Sequence, residues 1–396
     1  MYFDQWCRIG SGIIPGDGGI NMKVIIAPDS YKGALRAPEV AAAFAAGWRS
    51  VAPADEIICL PLSDGGEGMM TALCSALGGK IITLPAHDAL NRPISARVVI
   101  AGEVAVVESA EANGIELLDH CELDPLTATT YGVGELLRQL LDRGIRRFLI
   151  GIGGSATVDC GAGMLQALGA QFYDAYGNIL PSGAGGGVLR EVAALQLTAL
   201  DPRLTECEIN VACDVTNPLC GVSGAAQVFG PQKGATPEMV ISLDNNLRHF
   251  AALAGDDGTC PGDGAAGGLG FALRKFLHAQ MASGAELVMQ YSGFEAALTG
   301  ADLVVTGEGC SDEQTACGKL CACVAHAAHA HKVPVILFSG ALRGQTAKLA
   351  ALFDGCFSIA SGPGELSEAI AATAENLRRA GENTAKLMHL EDKYVR

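Results

Sequence analysis

The sequence of 396 residues contains no uninterrupted apolar run of the ~18 residues that a membrane-spanning helix requires. Dense runs of lysine and arginine are also missing, since 27 basic residues stand against 43 acidic ones and the formal net charge is −16. Nucleic acids and anionic membranes attract basic patches, so we expect neither as a partner. The first 21 residues lack the basic segment and long apolar core of a signal peptide, which predicts a cytoplasmic protein.

Repetitive composition is absent as well. The 16 prolines and 51 glycines follow no fixed period, and hydrophobic residues make up 49% of the chain while charged residues make up 18%. This composition excludes collagen-like and disordered chains and indicates a globular protein. Because the chain is longer than the ~100–200 residues of one typical domain, we expect two domains.

The 14 cysteines do not form a disulfide framework or a metal-binding motif. Most of them stand singly in apolar segments, which is typical of reduced core residues in a cytosolic protein. The tightest group consists of Cys310, Cys317, Cys321 and Cys323. It contains no CxxC pair and is followed by alanine-rich sequence, so we interpret it as part of a packed helix.

Alternating strand-like and helical segments begin just after Met22. Apolar runs at 23–30, 56–63 and 80–87 are separated by helical stretches. The order βαβαβ predicts a parallel sheet. After His87, strand-like runs follow one another across turn-length connections, as they do in antiparallel pairs, and the helix–strand alternation returns near Glu286.

These patterns predict an α/β fold of two domains. Residues 22–88 and 286–390 are expected to form one parallel-sheet domain, interrupted by an inserted α/β domain with a mixed sheet at 89–285. We interpret residues 1–21 as a leader or an added extension and 391–396 as a tail. Polar, glycine-rich motifs follow several predicted strands at their carboxyl ends, where open α/β sheets bind ligands, so we expect the two domains to face each other there.

The segment Asp64-Gly65-Gly66-Glu67-Gly68 joins a predicted strand to a predicted helix. Its glycines permit close approach of a ligand, its amides attract anions, and its carboxylates suit a cation. A helix cap needs only one such carboxylate, so two among three glycines favour a functional loop.

The segment from Gly151 to Ala156 matches the relaxed dinucleotide fingerprint GxGxxA, with Asp174 about the right distance onward. This match keeps open an NAD-dependent oxidoreductase acting on a small hydroxy acid. A second match at 262–267 has no strand before it, so the pattern alone is weak, and a Walker A motif is absent. The more general interpretation is a backbone nest for phosphate or carboxylate, in which Asp159 takes a metal, a proton or a helix cap.

Three further motifs pair acids with lysines. Asp29-Ser30-Tyr31-Lys32 follows the first predicted strand. Asp214, with Asn217 nearby, and Lys233 combine a cation ligand or base with a phosphate clamp. Glu308, Asp312 and Lys319 lie between a predicted strand and a predicted helix.

Taken together, the ordered motifs resemble the bacterial glycerate kinase type-1 family from Met22 to about Ala380. The segments that carry the resemblance are APDSYKGAL, LSDGGEGMMTAL, NRP at Asn91, TATTYGVGELL, GIGGSATVDCGAGM, ACDVTNPLCG, FGPQKGATPEM, GAAGGLG and TGEGCSDEQT with GKL. Two departures are Gly33, where the family usually carries Glu, and Cys310-Ser311, where it carries Arg-Leu. If that arginine contacts phosphate, this chain lacks the contact.

The resemblance implies ATP-dependent, Mg²⁺-requiring phosphorylation of D-glycerate, with 2-phospho-D-glycerate the favoured product. It also implies a Rossmann- or flavodoxin-like domain interrupted by an inserted one. The product position and the oligomeric state, including a homodimer, stay open. A non-catalytic sugar-acid-binding protein is the third alternative, beside the kinase and the oxidoreductase.

Phosphoryl transfer requires positioning and neutralisation of charge, which suggests roles for these residues. For catalysis we expect Asp214 to be the base that accepts the hydroxyl proton, Asp159 to be the alternative base, and Lys319 to act on phosphate. For ATP and its phosphates we assign Gly153, Gly154, Ser155, Lys233, Gly307 and Gly309. For D-glycerate we assign Asp29, Ser30, Lys32, Arg92 and Asn217, with Lys32 on the carboxylate. For Mg²⁺ we assign Asp64, Glu67, Glu308 and Asp312.

Overall fold

The protein is described by a computed structural model that covers residues 21–63, 68–313, 315, 320–344, 347–362 and 364–390. Apart from Asn21, the predicted leader lies outside these residues, and so does the predicted tail. Within the described part of the chain, no helix is both long enough and apolar enough to cross a membrane.

In chain order the strands are β1 (Lys23–Ile26), β2 (Glu56–Cys59), β3 (Lys80–His87), β4 (Pro93–Ala101), β5 (Val104–Glu108), β6 (Arg147–Gly151), β7 (Gln171–Tyr173), β8 (Ala194–Gln196), β9 (Glu208–Ala212), β10 (Gln280–Ala282), β11 (Leu303–Ser311), β12 (Val335–Leu342) and β13 (Gly355–Ser358). The helices are α1 (Ala37–Arg49), α2 (Met69–Ala76), α3 (Ala110–Asn113), α4 (Tyr131–Asp142), α5 (Ala162–Ala167), α6 (Ala225–Phe229), α7 (Pro237–Leu253), α8 (Leu269–Leu277), α9 (Gly284–Ser292), α10 (Phe294–Leu298), α11 (Leu320–Ala330), α12 (Ala347–Leu352), α13 (Leu366–Ala371) and α14 (Thr373–Met388).

The first sheet has five parallel strands in the order β13-β12-β11-β1-β2. Its strands come from the two ends of the chain, because β1 lies between β2 and β11. The predicted parallel α/β sheet is therefore confirmed.

The second sheet is mixed and has six strands in the order β10-β9-β6-β5-β4-β3. Strands β3, β4 and β5 are antiparallel neighbours, whereas β5, β6, β9 and β10 run parallel. This mixture was predicted for the inserted segment. A separate ribbon is formed by β7 and β8.

The prediction that 80–87 is a third strand of the parallel sheet is wrong. This segment is β3, which pairs antiparallel with β4 along its whole length, from Lys80 opposite Ile100 to His87 opposite Pro93. The connection between the two strands is short, and Asp88 stabilises it by accepting hydrogen bonds from the amides of Leu90 and Arg92. A tight turn of this kind permits antiparallel pairing, whereas a parallel partner requires a long crossover. The division into two domains itself stays a prediction.

Hydrophobic side chains pack both sheets into one structure. A continuous core joins Ile25 and Val304 of the first sheet to Val106 and Leu149 of the second, with Leu73 of α2 between them. All five are almost completely buried. Burial of each such side chain contributes ~1.5–3 kcal/mol, so this core holds loops from both sheets in a defined relation.

The outer faces of the sheets are covered by helices with apolar stripes. On α4, Val133, Leu136, Leu137 and Leu140 are fully buried and recur at the spacing of one helix face. They belong to the core on the outer side of the second sheet. On the outer side of the first sheet, α1 packs against α14.

Candidate active site

Two cavities open at the carboxyl ends of parallel strands. The large cavity has a volume of about 660 Å³ and the small cavity about 420 Å³. Glu108, Gly151 and Ala212 stand in register at the ends of the adjacent strands β5, β6 and β9. Glu108 lines the large cavity and Ala212 lines the small one. Because adjacent strands are ~4.8 Å apart, the two cavities are neighbours at one edge of the sheet.

The large cavity brings together the motif that follows β1 and side chains of the second sheet. Asp29, Ser30 and Lys32 line it from one side, and Arg97 and Glu108 line it from the other. The amide of Asp29 donates a 2.8 Å hydrogen bond to the carbonyl oxygen of Gly307, which ties this loop to β11. Three of the residues predicted to bind substrate therefore share one cavity.

Glu108 and Arg97 were missed by sequence reasoning. Oε1 of Glu108 accepts a 2.7 Å hydrogen bond from the amide of Met70 in the first turn of α2. The guanidinium of Arg97 donates to the carboxylate of Glu111. The position of Glu108 at the end of a predicted strand was the signal that could have revealed it, because other candidate residues share that position.

The small cavity unites the glycine-rich loop after β6 with the loop after β9. Gly153, Gly154 and Ser155 line it together with Asp214 and Lys233. Apart from its chain neighbours, a side chain at Gly153 would meet nothing within 4 Å, so this part of the loop faces open space. Gly154 has a φ of 73°, a left-handed conformation that glycine adopts without strain. Five predicted residues, from segments up to 80 positions apart in the chain, therefore border one space.

Lys233 is buried, with 2% of its surface exposed, yet it borders the small cavity. Its Nζ donates hydrogen bonds to Oγ of Ser155 at 2.9 Å and to the carbonyl oxygen of Thr157 at 2.7 Å. Burial lowers the pKa of Lys233 to about 7, against the opposing attraction of the Asp159 carboxylate. An anion in the cavity would restore charge pairing to this amine, so the arrangement favours an anionic ligand.

Asp214 stands at the entrance of α9. Its Oδ1 accepts a 3.0 Å hydrogen bond from the amide of Gly284, the first residue of that helix. The positive end of a helix dipole stabilises a carboxylate at this place. The side chain is therefore oriented on the wall of the small cavity, where a base for a bound hydroxyl would be needed.

Asp159 occupies a different environment. It is fully buried, and its carboxylate accepts four hydrogen bonds: from the amide and hydroxyl of Thr130, both at 2.8 Å, and from the amides of Gly161 and Gly163. Burial raises the pKa of Asp159, while these donors oppose the rise. Asp159 lines neither cavity, so the geometry does not support its predicted role as the alternative base, and that role stays a prediction. Its carboxylate holds the start of α5 against the start of α4.

Two residues assigned to D-glycerate line neither cavity. Arg92 forms ion pairs with Asp88 at 2.6 Å and Glu122 at 2.7 Å, so its guanidinium stabilises the turn between β3 and β4. Nδ2 of Asn217 donates to the carbonyl oxygen of Ser223, which closes its own loop. These contacts engage both side chains within the protein, and their assignment to D-glycerate stays a prediction.

The sequence suggested that Gly307 and Gly309 lie in a loop after a strand. The structure instead places both within β11. A side chain at Gly307 would collide with the carbonyl oxygen of Phe338 on β12. A side chain at Gly309 would come within 3.3 Å of the amide nitrogen of Lys32. Neither borders a described cavity, so close packing of backbones explains both without a phosphate.

The predicted magnesium ligands are only partly described. Glu308 accepts hydrogen bonds from Oγ of Ser311 at 2.8 Å and Oγ1 of Thr315 at 2.6 Å, and the amide of Asp312 donates to the same threonine oxygen. Asp64, Glu67 and Lys319 lie outside the described residues. Among the residues that are described, no group of three or more His, Cys, Asp or Glu is placed to hold a metal. The oxygen donors present are of the kind Mg²⁺ prefers, but they do not complete a site by themselves.

Comparisons with known proteins identify the family. Residues 24–389 match the model of the glycerate kinase family. A glycerate 2-kinase of Escherichia coli (strain K12) is 43% identical over 372 residues, which are 92% of this chain and 97% of the relative. A glycerate kinase of Bacillus subtilis (strain 168) is 43% identical over 377 residues, 93% of this chain and 98% of the relative.

A solved structure agrees with these relatives. The crystal structure of a provisionally named glycerate kinase 2 from Salmonella typhimurium LT2 has a TM-score of 0.86 at 42% identity, and the match covers 94% of this chain and 100% of that one. The resemblance inferred from the ordered motifs is thus confirmed, and the chain belongs to the glycerate kinase family.

Proposed function

We propose that the protein transfers the γ-phosphoryl group of ATP to a hydroxyl group of D-glycerate, with the 2-hydroxyl favoured. Membership of a kinase family implies the use of ATP. The observation that carries the proposal is that Asp214 and Lys233 border the same small cavity, next to the large one. The carboxyl ends of the strands therefore bring together a base, an anion-binding amine and space for a second substrate.

The chemistry of a 2-hydroxy acid decides which substrate belongs in the small cavity. Its carboxylate and its hydroxyl are attached to adjacent carbon atoms, so the base and the carboxylate-binding groups must lie in the same space. With Asp214 as the base, we assign the carboxylate to Lys233, the hydroxyl of Ser155 and the loop of Gly153 and Gly154. This assignment replaces the expectation that Lys32 holds the carboxylate.

The large cavity is the better place for ATP. Its volume of about 660 Å³ exceeds the 420 Å³ of the small cavity. Lys32, in the loop after β1, also brings a cation to it. We assign Mg²⁺ to Glu308 and Asp312, together with Asp64 and Glu67, which lie outside the described residues. When bound there, the ion would supply charge neutralisation for the phosphates.

In the reaction, Asp214 accepts the proton of the 2-hydroxyl group as that oxygen attacks the γ-phosphorus. The ammonium of Lys233 holds the carboxylate, which fixes the hydroxyl relative to Asp214. Positioning of this kind, and stabilisation of developing charge, are the main contributions of a protein to phosphoryl transfer.

The dinucleotide-binding alternative has little support. A dinucleotide fingerprint requires a helix that begins within the glycine-rich loop, so that its N-terminus meets the pyrophosphate. Here α5 begins only at Ala162, beyond the loop of Gly151 to Ala156. Asp174 accepts hydrogen bonds from Tyr176 and Asn178 in an exposed turn.

The test is incubation of the protein with D-glycerate, ATP and Mg²⁺, followed by ³¹P NMR of the products. We expect ADP and a phosphate ester whose phosphorus couples to the single proton on C2. Coupling to the two protons of C3 would instead identify the 3-phosphate. Glycerate-dependent reduction of NAD without ADP would contradict the proposal, and so would glycerate binding without turnover.

A further inference from the structure

Ser155 and Lys233 form a hydrogen-bonded pair at the wall of the small cavity. Oγ of Ser155 lies 2.9 Å from Nζ of Lys233, and both side chains are buried while they border the cavity. A buried serine and lysine in contact are the components of a known type of nucleophile and base pair.

The second contact of Lys233 determines what the pair can do. The carbonyl oxygen of Thr157, 2.7 Å from Nζ, can only accept a hydrogen bond. A neutral amine therefore points one N–H at Thr157, and its lone pair is available for the hydroxyl proton of Ser155. Burial lowers the pKa of Lys233 to about 7, which populates this neutral amine near physiological pH.

The loop beside Ser155 borders open space. Apart from its chain neighbours, no atom lies within 4 Å of the position that a side chain at Gly153, two residues before Ser155, would take. The base Asp214 borders the same cavity, so a phosphoryl group delivered to the hydroxy acid arrives close to Ser155.

We infer that Ser155 is a nucleophile with Lys233 as its base, and that it accepts a phosphoryl group from ATP when the hydroxy acid is absent. The inference rests on the proposed function, because ATP is the donor. Oγ of Ser155 forms a bond to the γ-phosphorus, the bond from that phosphorus to the bridging oxygen of ADP breaks, and the serine proton passes to neutral Lys233. The products are ADP and phosphoserine beside a lysine ammonium.

D-glycerate should suppress this reaction for two reasons. Its carboxylate keeps Lys233 protonated, which removes the base, and its bulk occupies the cavity. The same amine thus serves as an anion-binding cation with the substrate present and as a base without it. The carboxylate of Asp159 attracts this amine from within the protein, and Asp214 borders the same cavity.

The test is incubation of the wild type with ATP and Mg²⁺ without glycerate, followed by tandem mass spectrometry. We expect a gain of ~80 Da on the peptide that contains Ser155. The variant Ser155→Ala should show no gain, and Lys233→Arg should be labelled at least tenfold more slowly, because a guanidinium stays protonated. Added D-glycerate should slow labelling of the wild type. Replacement of the exposed Ser182 by alanine serves as the matched control and should leave labelling unchanged.

A parallel assay for phosphoglycerate separates this inference from the proposed function. Phosphoglycerate formation by a wild type that stays unlabelled at Ser155 would overturn this inference and leave the proposed function intact.

If neither phosphoglycerate nor phosphoserine forms, the proposed function fails. A fluorophosphonate then tests Ser155 and Lys233 directly, because Ser155 bonds to its phosphorus and fluoride leaves. Reaction of the wild type but not of Lys233→Arg would support Ser155 as a nucleophile with Lys233 as its base. No reaction of the wild type would overturn that inference. If circular dichroism shows that Lys233→Arg does not fold, Lys233→Met replaces it.

Discussion

Glu108 accepts a hydrogen bond from the backbone amide of Met70, 2.7 Å away, and so joins the end of β5 to the first turn of α2. The same turn borders the large cavity, which Met70 and Thr71 line together with Glu108. One carboxylate therefore sets the position of a wall of the cavity that we assign to ATP.

Replacement of Glu108 by alanine should destabilise the protein and weaken the binding of ATP. Loss of a charged hydrogen bond to a helix N-terminus predicts a decrease of ~1.5–3 kcal/mol in the free energy of unfolding. We expect the KM for ATP to rise more than the KM for D-glycerate, as measured by steady-state kinetics. Glu103→Ala, in the exposed turn before β5, is the matched control. An unchanged KM for ATP would show that this contact does not shape the ATP site.

Replacement of Asp214 by asparagine should abolish general-base catalysis and leave the fold intact. The amide oxygen can still accept the hydrogen bond from Gly284, but it cannot take a proton. We expect kcat to fall by ~10²-fold or more while the melting temperature changes little. Asp257→Asn, at an exposed position outside the helices and strands, is the control. Full turnover by Asp214→Asn would assign the base to another residue.

Replacement of Asp159 by asparagine should destabilise the fold and leave kcat nearly unchanged, the opposite of what we expect for Asp214→Asn. Its carboxylate satisfies four buried donors from Thr130, Gly161 and Gly163, and an amide nitrogen would face some of them. We expect the free energy of unfolding to fall by at least ~2 kcal/mol in urea titrations. Below the melting range, kcat should stay within a few-fold of the wild type. A large loss of kcat in a stable, folded variant would restore Asp159 as a candidate base.

Substitutions of Lys233 and of Lys32 should raise the KM for different substrates. Lys233→Met keeps an apolar stem but removes the cation in the small cavity, so the KM for D-glycerate should rise by about tenfold or more. Lys32→Ala should act mainly on the KM for ATP. The exposed Lys348→Ala is the control. The reverse pattern would return the carboxylate to Lys32 and the phosphates to Lys233, as the sequence suggested.

The affinity for D-glycerate should depend on pH through Lys233. The free amine, with a pKa of about 7, is cationic below that pH and becomes neutral above it, whereas a carboxylate stays ionised throughout this range. The KM for D-glycerate should therefore be constant below pH 7 and rise by up to tenfold per unit above it. Lys233→Arg should remove the rise, because its guanidinium does not titrate. The same rise in that variant would assign the titration to another group.

Sequence reasoning succeeded where the signal was local. The first parallel sheet was predicted from apolar runs that alternate with helical stretches, and the family from an ordered series of motifs. Asp29, Gly153 and Asp214 were singled out because each follows a strand, and the cavities lie at those strand ends. It failed for 80–87, because strand periodicity does not reveal which neighbour a strand will pair with.

The sequence alone therefore determined the α/β class, the family and the set of polar residues at the strand ends, because periodicity and motif order are properties of neighbouring residues. Only the tertiary structure decided what each side chain does. Asp159 is enclosed by contacts with Thr130, 29 positions earlier, while Lys233 acquired its contact with Ser155 across 78 positions. Burial and hydrogen bonding set the charge and the accessibility of such groups, and both depend on residues that only folding brings together.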